Sequence, residues 1–446
     1  MTYTAATGSL AVTLSGLPGG VNAAVTVTGP GGYARNLTAT QTLTALLAGS
    51  YTVSASPVSN GATTYNPTPL TQTVSVAAGA ASASVAYASG GGGGGLNLVI
   101  DGYTLTQTVQ TYTGTVPLVG NKNAFLRVFA KASQANSAAP AVRARFYNGA
   151  TLLSTVTIPA PGASVPTTVD QSVIGTSWNA VINASLLQPG TSLLLDVDPT
   201  NVVAESSESD NTFPLSGSAQ SLNVTNVSTF QIRLVPVTQS ANGLTGNASN
   251  ANKDQFLSFL QKLYPVSTVD VDVRAAYTTA APALDAGDAN GAWGQILSEI
   301  NALRTADAST RYYYGVVKVA YSSGIAGLGY VPGRAAIGWD NMPSATSVLT
   351  HEVGHNFGRW HAPCGGPSGV DPSYPYANAQ IGVYGYDVSA SSLKLPTATD
   401  VMSYCSNTWI SDYNYNAIFS YRQANPFLVQ APQPGYSSGV ASWMTA

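Results

Sequence analysis

The chain has 446 residues, with 17 Lys+Arg against 20 Asp+Glu and a formal net charge of −3. That balance excludes the basic footprint of a nucleic-acid binder and the polybasic patch of an anionic-membrane binder. Hydrophobic residues at 44% with charged residues at only 8% exclude a disordered chain and suit β-rich modules built from Thr, Val, Tyr, Gly and Asn. No apolar run approaches the length of a membrane span, and the length predicts several domains rather than one core.

The opening residues, MTYTAATGSLAVTL, lack the basic stretch and long apolar core of an export signal. The expectation is a secreted or cell-surface protein whose signal is absent from this sequence. Short alternating stretches, Leu10–Leu14, Ala24–Val27 and Tyr51–Ala55, are separated by turn clusters such as Gly29-Pro30-Gly31-Gly32. They predict an all-β sandwich over residues 1–89. The glycine run of residues 90–95 reads as a flexible tether.

Residues 96–217 predict a second β-sandwich. Leu126, Val128 and Ala130 alternate with Arg127, Phe129 and Lys131, and Tyr147-Asn148-Gly149-Ala150 supplies a hairpin turn. Near its end stands DVDPTNVVAESSESDN, Asp196 to Asn211. Its carboxylates, Asp196, Asp198, Glu205, Glu208 and Asp210, offer oxygen ligands to a structural Ca2+, although the EF-hand spacing is absent. A solvated acidic turn region is the other reading.

Residues 218–424 change character. Phe230–Val237 reads as a strand, Lys253–Tyr264 as an amphipathic helix with Phe256, Phe259, Leu260 and Leu263 on one side, and Val269–Val273 as a strand. Trp293–Leu303 follows as a helix, Tyr312–Tyr321 as a central strand, and Tyr413–Ala424 as a closing helix. This order predicts an α/β domain with a mixed sheet plus helices. Residues 425–446, rich in Pro, Gly and Ser, read as a tail or linker.

All three histidines of the chain lie in HEVGHNFGRWH, residues 351–361. His351 and His355, four apart, share one face of a helix that Pro343-Ser344 can start and that Leu349, Val353 and Phe357 line with an apolar stripe. Gly358 is the residue type that leaves a helix through positive φ, which lets His361 return toward the other two. Three neutral imidazoles leave a fourth position for water, the pattern of one catalytic Zn2+ rather than a closed structural site. Glu352 sits beside the pair without being a ligand and is the candidate general base.

The pattern HExxHxxGxxH resembles the zinc motif of the metzincin metallopeptidases, whose pattern adds a downstream Met-turn. DVMSYC, Asp400 to Cys405, is similar to that turn. The resemblance implies Met402 as an apolar floor under the metal. It also implies Tyr404, in the M-x-Y form of astacins and serralysins, as a residue that helps the metal stabilise the substrate oxyanion; a buried structural tyrosine is the alternative. Ala362 follows His361 where the named subfamilies carry Asp, Glu or Pro, so the resemblance is to the clan and not to one subfamily. Gly324–Asp340 resembles the metzincin edge-strand region, where an extended substrate adds through backbone hydrogen bonds, and Tyr374–Tyr386 is a candidate cleft wall or ordinary loop packing. Upstream, Leu46–Val53 resembles prealbumin-like and carboxypeptidase-regulatory-like modules, and Asp196–Asn211 resembles the close of a CARDB-type sandwich.

Cys364 lies three residues after His361 and Cys405 three after Met402. If Met402 packs beneath the metal, both cysteines fall near it, and the expectation for a secreted protein is a Cys364–Cys405 disulfide. Free thiols, one of them a latency ligand to zinc, are the rival. Together these readings predict a secreted, monomeric zinc endopeptidase acting on extended protein segments. The alternatives are a specialised glycoprotein (mucin-type) protease whose β-domains bind glycans or a cell-surface ligand, and a non-catalytic surface adhesin.

Overall fold

The computed structural model describes residues 7–61, 63–90, 95–426 and 439–445. The first module is a sandwich of a five-stranded and a four-stranded sheet. Period-two alternation turns Leu10, Val12, Val25, Val27, Val53 and Val85 inward to form its core. Its last strand, Ala80–Gly90, takes in the first residue of the predicted tether, with Gly90 paired to Thr64. Residues 91–94 of that tether lie outside the described residues.

The second module pairs a three-stranded sheet (Leu98–Thr106, Ala124–Ala132, Trp178–Ile182) with a five-stranded one centred on Val142–Asn148 and Thr191–Val197. It runs past residue 217. Gln220–Ser221 pairs with Thr191–Val197, and Val224–Thr225 pairs with Leu118–Val119. The alternation predicted along Ala124–Ala132 gives way to burial on both faces. Tyr112 packs on Phe129, with ring centroids 5.4 Å apart. Arg127, 3% exposed, donates to Ser177 Oγ and to the carbonyls of Gln171 and Val173.

Most carboxylates of the acidic stretch accept from the chain's own donors, while Asp210 Oδ1 and Asn211 Oδ1 are buried without a partner among the described residues. Asp196 pairs with Arg143 and Arg145 at 3.2 and 2.8 Å. Asp198 accepts from the amides of Val202 and Val203, Glu205 from that of Leu98, and Asp210 from Asn97 Nδ2. Asn211 Nδ2 donates to both Glu205 and Glu208. Burial pushes the Glu205 carboxyl up to about 7. Among the described residues these five carboxylates are not drawn together as a metal-binding group.

The third module is built on a mixed sheet ordered Val269–Val273, Phe230–Gln239, Tyr312–Val317, Ala335–Trp339, Gly324–Val331, Gly439–Thr445, with Tyr277–Thr279 also pairing the second of these. The first four are parallel and Gly324–Val331 is antiparallel to its neighbours. Three helices cover it. α1 (Lys253–Leu263) and α3 (Ser344–Asn356) pack into one core with Leu234, Tyr314 and Val316. α2 (Ala292–Ala306) packs on the other face around Trp293, Ile296 and Ile337. A fourth, α4 (Asp412–Ala424), adds Tyr415 and Ile418 to the core that α1 and α3 share.

Two sequence expectations change here. The central strand stops at Val317 instead of Tyr321. The segment expected as a tail contains a strand, Gly439–Thr445, on the sheet edge, because the outward backbone groups of Gly324–Val331 accept it as a partner. The second and third modules are joined. Val109 and Gln110 pair with Gly385 and Tyr384, Phe125 stacks on Tyr386 at 3.7 Å, and Lys122 Nζ donates to the Gln261 and Tyr264 carbonyls.

Candidate metal centre

α3 carries His351, Glu352 and His355 on its buried side. It ends in a Schellman arrangement. Gly358 has φ +79°, its amide donates to the His355 carbonyl at 2.8 Å, and the Arg359 amide donates to the Gly354 carbonyl at 3.0 Å. That exit turns the chain back and delivers His361. Arg359 holds the turn, donating to Asn414 Oδ1 and Asp371 Oδ2, while the Asp371 amide donates to the His361 carbonyl.

The three imidazoles converge. One ring nitrogen from each lies within 4.8 Å of the others, and the Nε2 atoms of His355 and His361 are 3.2 Å apart. Each Nδ1 faces a backbone carbonyl: His351 that of Val401 at 2.7 Å, His355 that of Arg359 at 2.6 Å, His361 that of Ser368 at 2.5 Å. A carbonyl only accepts, so each Nδ1 carries the proton and each Nε2 presents a lone pair inward. Burial pushes all three toward the neutral form, His355 down to about 3, and the neighbouring imidazoles add to this at His351 and His355. Three lone pairs aimed at one point repel each other unless a cation lies between them. The group can bind a metal ion, and its all-imidazole composition fits Zn2+.

Glu352 has no solvent exposure, and neither carboxylate oxygen has a hydrogen-bond partner among the described residues. Burial pushes its carboxyl well above the usual range. Its position is set by close approach of the neighbouring strand: a Cβ at Gly327 would lie 2.7 Å from Glu352 Oε1, and one at Gly329 3.2 Å from Oε2. Asn356 ties the end of α3 to the same sheet by donating to the Tyr330 and Ala335 carbonyls.

Met402 is fully buried and lies under α3 between the first two histidines, where a Cβ at Gly354 would meet its sulfur at 2.4 Å. Its carbonyl accepts from the Ala362 amide, the residue after His361. The half-buried Tyr404 has its ring centroid 5.0 Å from that of His361 and 6.0 Å from that of His351. The tyrosine-rich loop makes packing contacts. Tyr374 packs on Tyr413, Tyr376 donates to Asp412, and Tyr386 lies at the junction with the second module.

Cys364 and Cys405 form a disulfide with Cα atoms 5.8 Å apart, and the Tyr404 amide donates to the Cys364 carbonyl. The bridge staples the His361 loop to the Met402 turn across 41 residues, a closure worth about 4 kcal/mol in the chain-entropy account. Unreduced, denatured protein is expected to show no titratable thiol, and reduction is expected to lower the melting temperature of this module. Two thiols per chain in fresh material would contradict the bridge.

Sequence reading missed Asp400, which is fully buried. It accepts from the Met402 amide at 2.8 Å and from the amide and hydroxyl of Ser411 at 2.8 and 2.6 Å. It therefore fixes the Met402 turn to the start of α4. An aspartate two residues before the methionine was the available signal.

No known family model matches the chain, and no curated protein matches it. Solved structures overlap parts of it. The CARDB domain of a Pyrococcus furiosus protein in complex with di-metal ions is 19% identical over 29% of this chain and 94% of its own, with a TM-score of 0.18. A DUF3823 family protein from Bacteroides ovatus is 12% identical over 43% and 90%, at 0.16, and the major pilin subunit of Bacillus cereus 8% identical over 54% and 74%, at 0.17. Nothing about the histidine site follows from these likenesses. Among the described residues, no helix is long and apolar enough to cross a membrane.

Proposed function

We propose that this chain is a secreted zinc-dependent endopeptidase of the metzincin kind. The observation that carries the reading is the convergence of three carbonyl-anchored imidazoles beside a buried carboxylate that has no other partner among the described residues. His351, His355 and His361 would hold the metal. A bound Zn2+ supplies Lewis acidity toward a water and a substrate carbonyl. Glu352 accepts the water proton and passes it to the leaving amine. Tyr404 donates its hydroxyl toward the carbonyl oxygen as negative charge develops there. Met402 keeps the floor of the site apolar and dry. The disulfide fits an oxidising, extracellular setting.

Tyr404→Phe is expected to lower kcat roughly 10- to 1000-fold, the scale of losing one oxyanion donor, with KM little changed. An unchanged kcat on a good peptide would make Tyr404 structural. The function itself is tested by incubating the zinc-loaded chain with unfolded casein and with an O-glycosylated mucin-type protein. Cleavage of casein supports the general endopeptidase. Cleavage of the glycoprotein alone favours the specialised protease with glycan-binding sandwiches. Cleavage of neither would leave a metal-binding adhesin.

A further inference from the structure

The strand Gly439–Thr445 runs antiparallel along the outer edge of Gly324–Val331, pairing Ile325 with Met444, Gly327 with Trp443, Leu328 with Ser442, Gly329 with Ala441 and Tyr330 with Val440. The inner side of Gly324–Val331 is already committed to Ala335–Trp339. Gly327 and Gly329 are the two residues pressed against the Glu352 carboxylate. Residues 441–443 therefore lie at the level of Glu352, one strand further out, and α3 also packs alongside them. His351, Glu352, His355 and His361 have no solvent exposure.

We propose that residues 439–445 are an intramolecular occupant of the substrate edge, a self-pairing strand that restrains the enzyme. The proposal rests on the peptidase reading above. An open sheet edge takes any extended backbone through main-chain hydrogen bonds, whatever its side chains. A segment of the same chain has the advantage of tethering, which gives it an effective concentration on the order of mM. An incoming extended peptide must displace it, so the restraint is competitive. It falls on kcat/KM at low substrate and lifts as substrate rises.

The test uses the full chain, zinc-loaded, with Ser442→Pro. Proline fixes φ near −65° and removes the amide hydrogen, which disfavours the extended pairing, while Ser442→Ala leaves the backbone as it is. Two readouts are taken together: hydrogen exchange of the Leu328–Tyr330 amides, and kcat/KM on a labelled extended peptide. The expected result for Ser442→Pro is exchange at least tenfold faster and kcat/KM at least fivefold higher. Ser442→Ala stays restrained, and a free peptide of residues 439–445 at mM concentration reverses both changes. Unchanged exchange would show that the segment does not hold the edge. Faster exchange with unchanged kcat/KM would show that it holds the edge without restraining the enzyme. A cut within 439–445 in the intact chain, seen by mass spectrometry, would make it a substrate and overturn the restraint. Faster exchange in Ser442→Pro, with no hydrolysis by any zinc-loaded form, would overturn the peptidase reading and leave the strand as an edge cap only.

Discussion

Glu352→Gln should retain one zinc per chain and lose hydrolysis by about 10²- to 10⁴-fold, the range of a positioned general base. The substitution is close to isosteric, which matters because Gly327 and Gly329 leave no slack around this side chain. The amide occupies the same volume yet cannot accept and release a proton. The three Nε2 lone pairs are set by the carbonyls of Val401, Arg359 and Ser368, and none of these contacts involves Glu352. Metal content is therefore expected to be unaffected. Thermal stability should change little, since the amide keeps the side chain's volume in the same enclosed place. Metal analysis, melting and turnover on one preparation decide the matter. Retained activity would remove Glu352 from the chemistry, and loss of zinc would make it a ligand.

The site was more legible in the sequence than the architecture around it. Helical spacing places His351 and His355 on one face, and Gly358 as the exit residue places His361; both are local rules, and the structure follows them with φ +79° at the glycine. The Cys364–Cys405 bridge was legible because each cysteine sits three residues from a motif element. What local rules do not carry is the pairing of distant segments. Arg127 looked like a solvent-facing member of an alternating strand and is buried, because the chain near Gln171–Ser177 folds over that face. The end of the second module near Thr225 is set by pairing with Leu118–Val119, over a hundred residues earlier. The strand Gly439–Thr445 reads as tail because the stretch around it, residues 425–446, is rich in Pro, Gly and Ser and masks the strand formers Val440, Trp443 and Thr445; only the open edge opposite makes it one. Asp400 was missed for the same reason, its partners Ser411 and Met402 being fixed by the turn they share.

Removing the metal should act on stability as well as on turnover. The inward lone pairs of His355 and His361 stand 3.2 Å apart, with both Nδ1 positions committed to carbonyls. Neither ring can donate to the other without breaking one of those bonds, so the neutral triad is held together against its own repulsion. A cation reverses that sign. A ligand that binds only the folded state adds about 4 kcal/mol at a thousandfold excess over its Kd. For a module of roughly 200 residues this shifts the melting temperature by on the order of 10 °C. Chelation is therefore expected to abolish hydrolysis and to lower the melting temperature of the third module and of the second joined to it, leaving the first sandwich, with its separate core, unmoved. Zinc should restore both. His361→Ala should behave as the chelated protein does and be indifferent to added zinc, because it removes one of three ligands from the loop that Arg359, Asp371 and the disulfide otherwise keep in place. A His361→Ala chain that binds zinc with undiminished affinity would show that the convergence of the three rings is not a metal site.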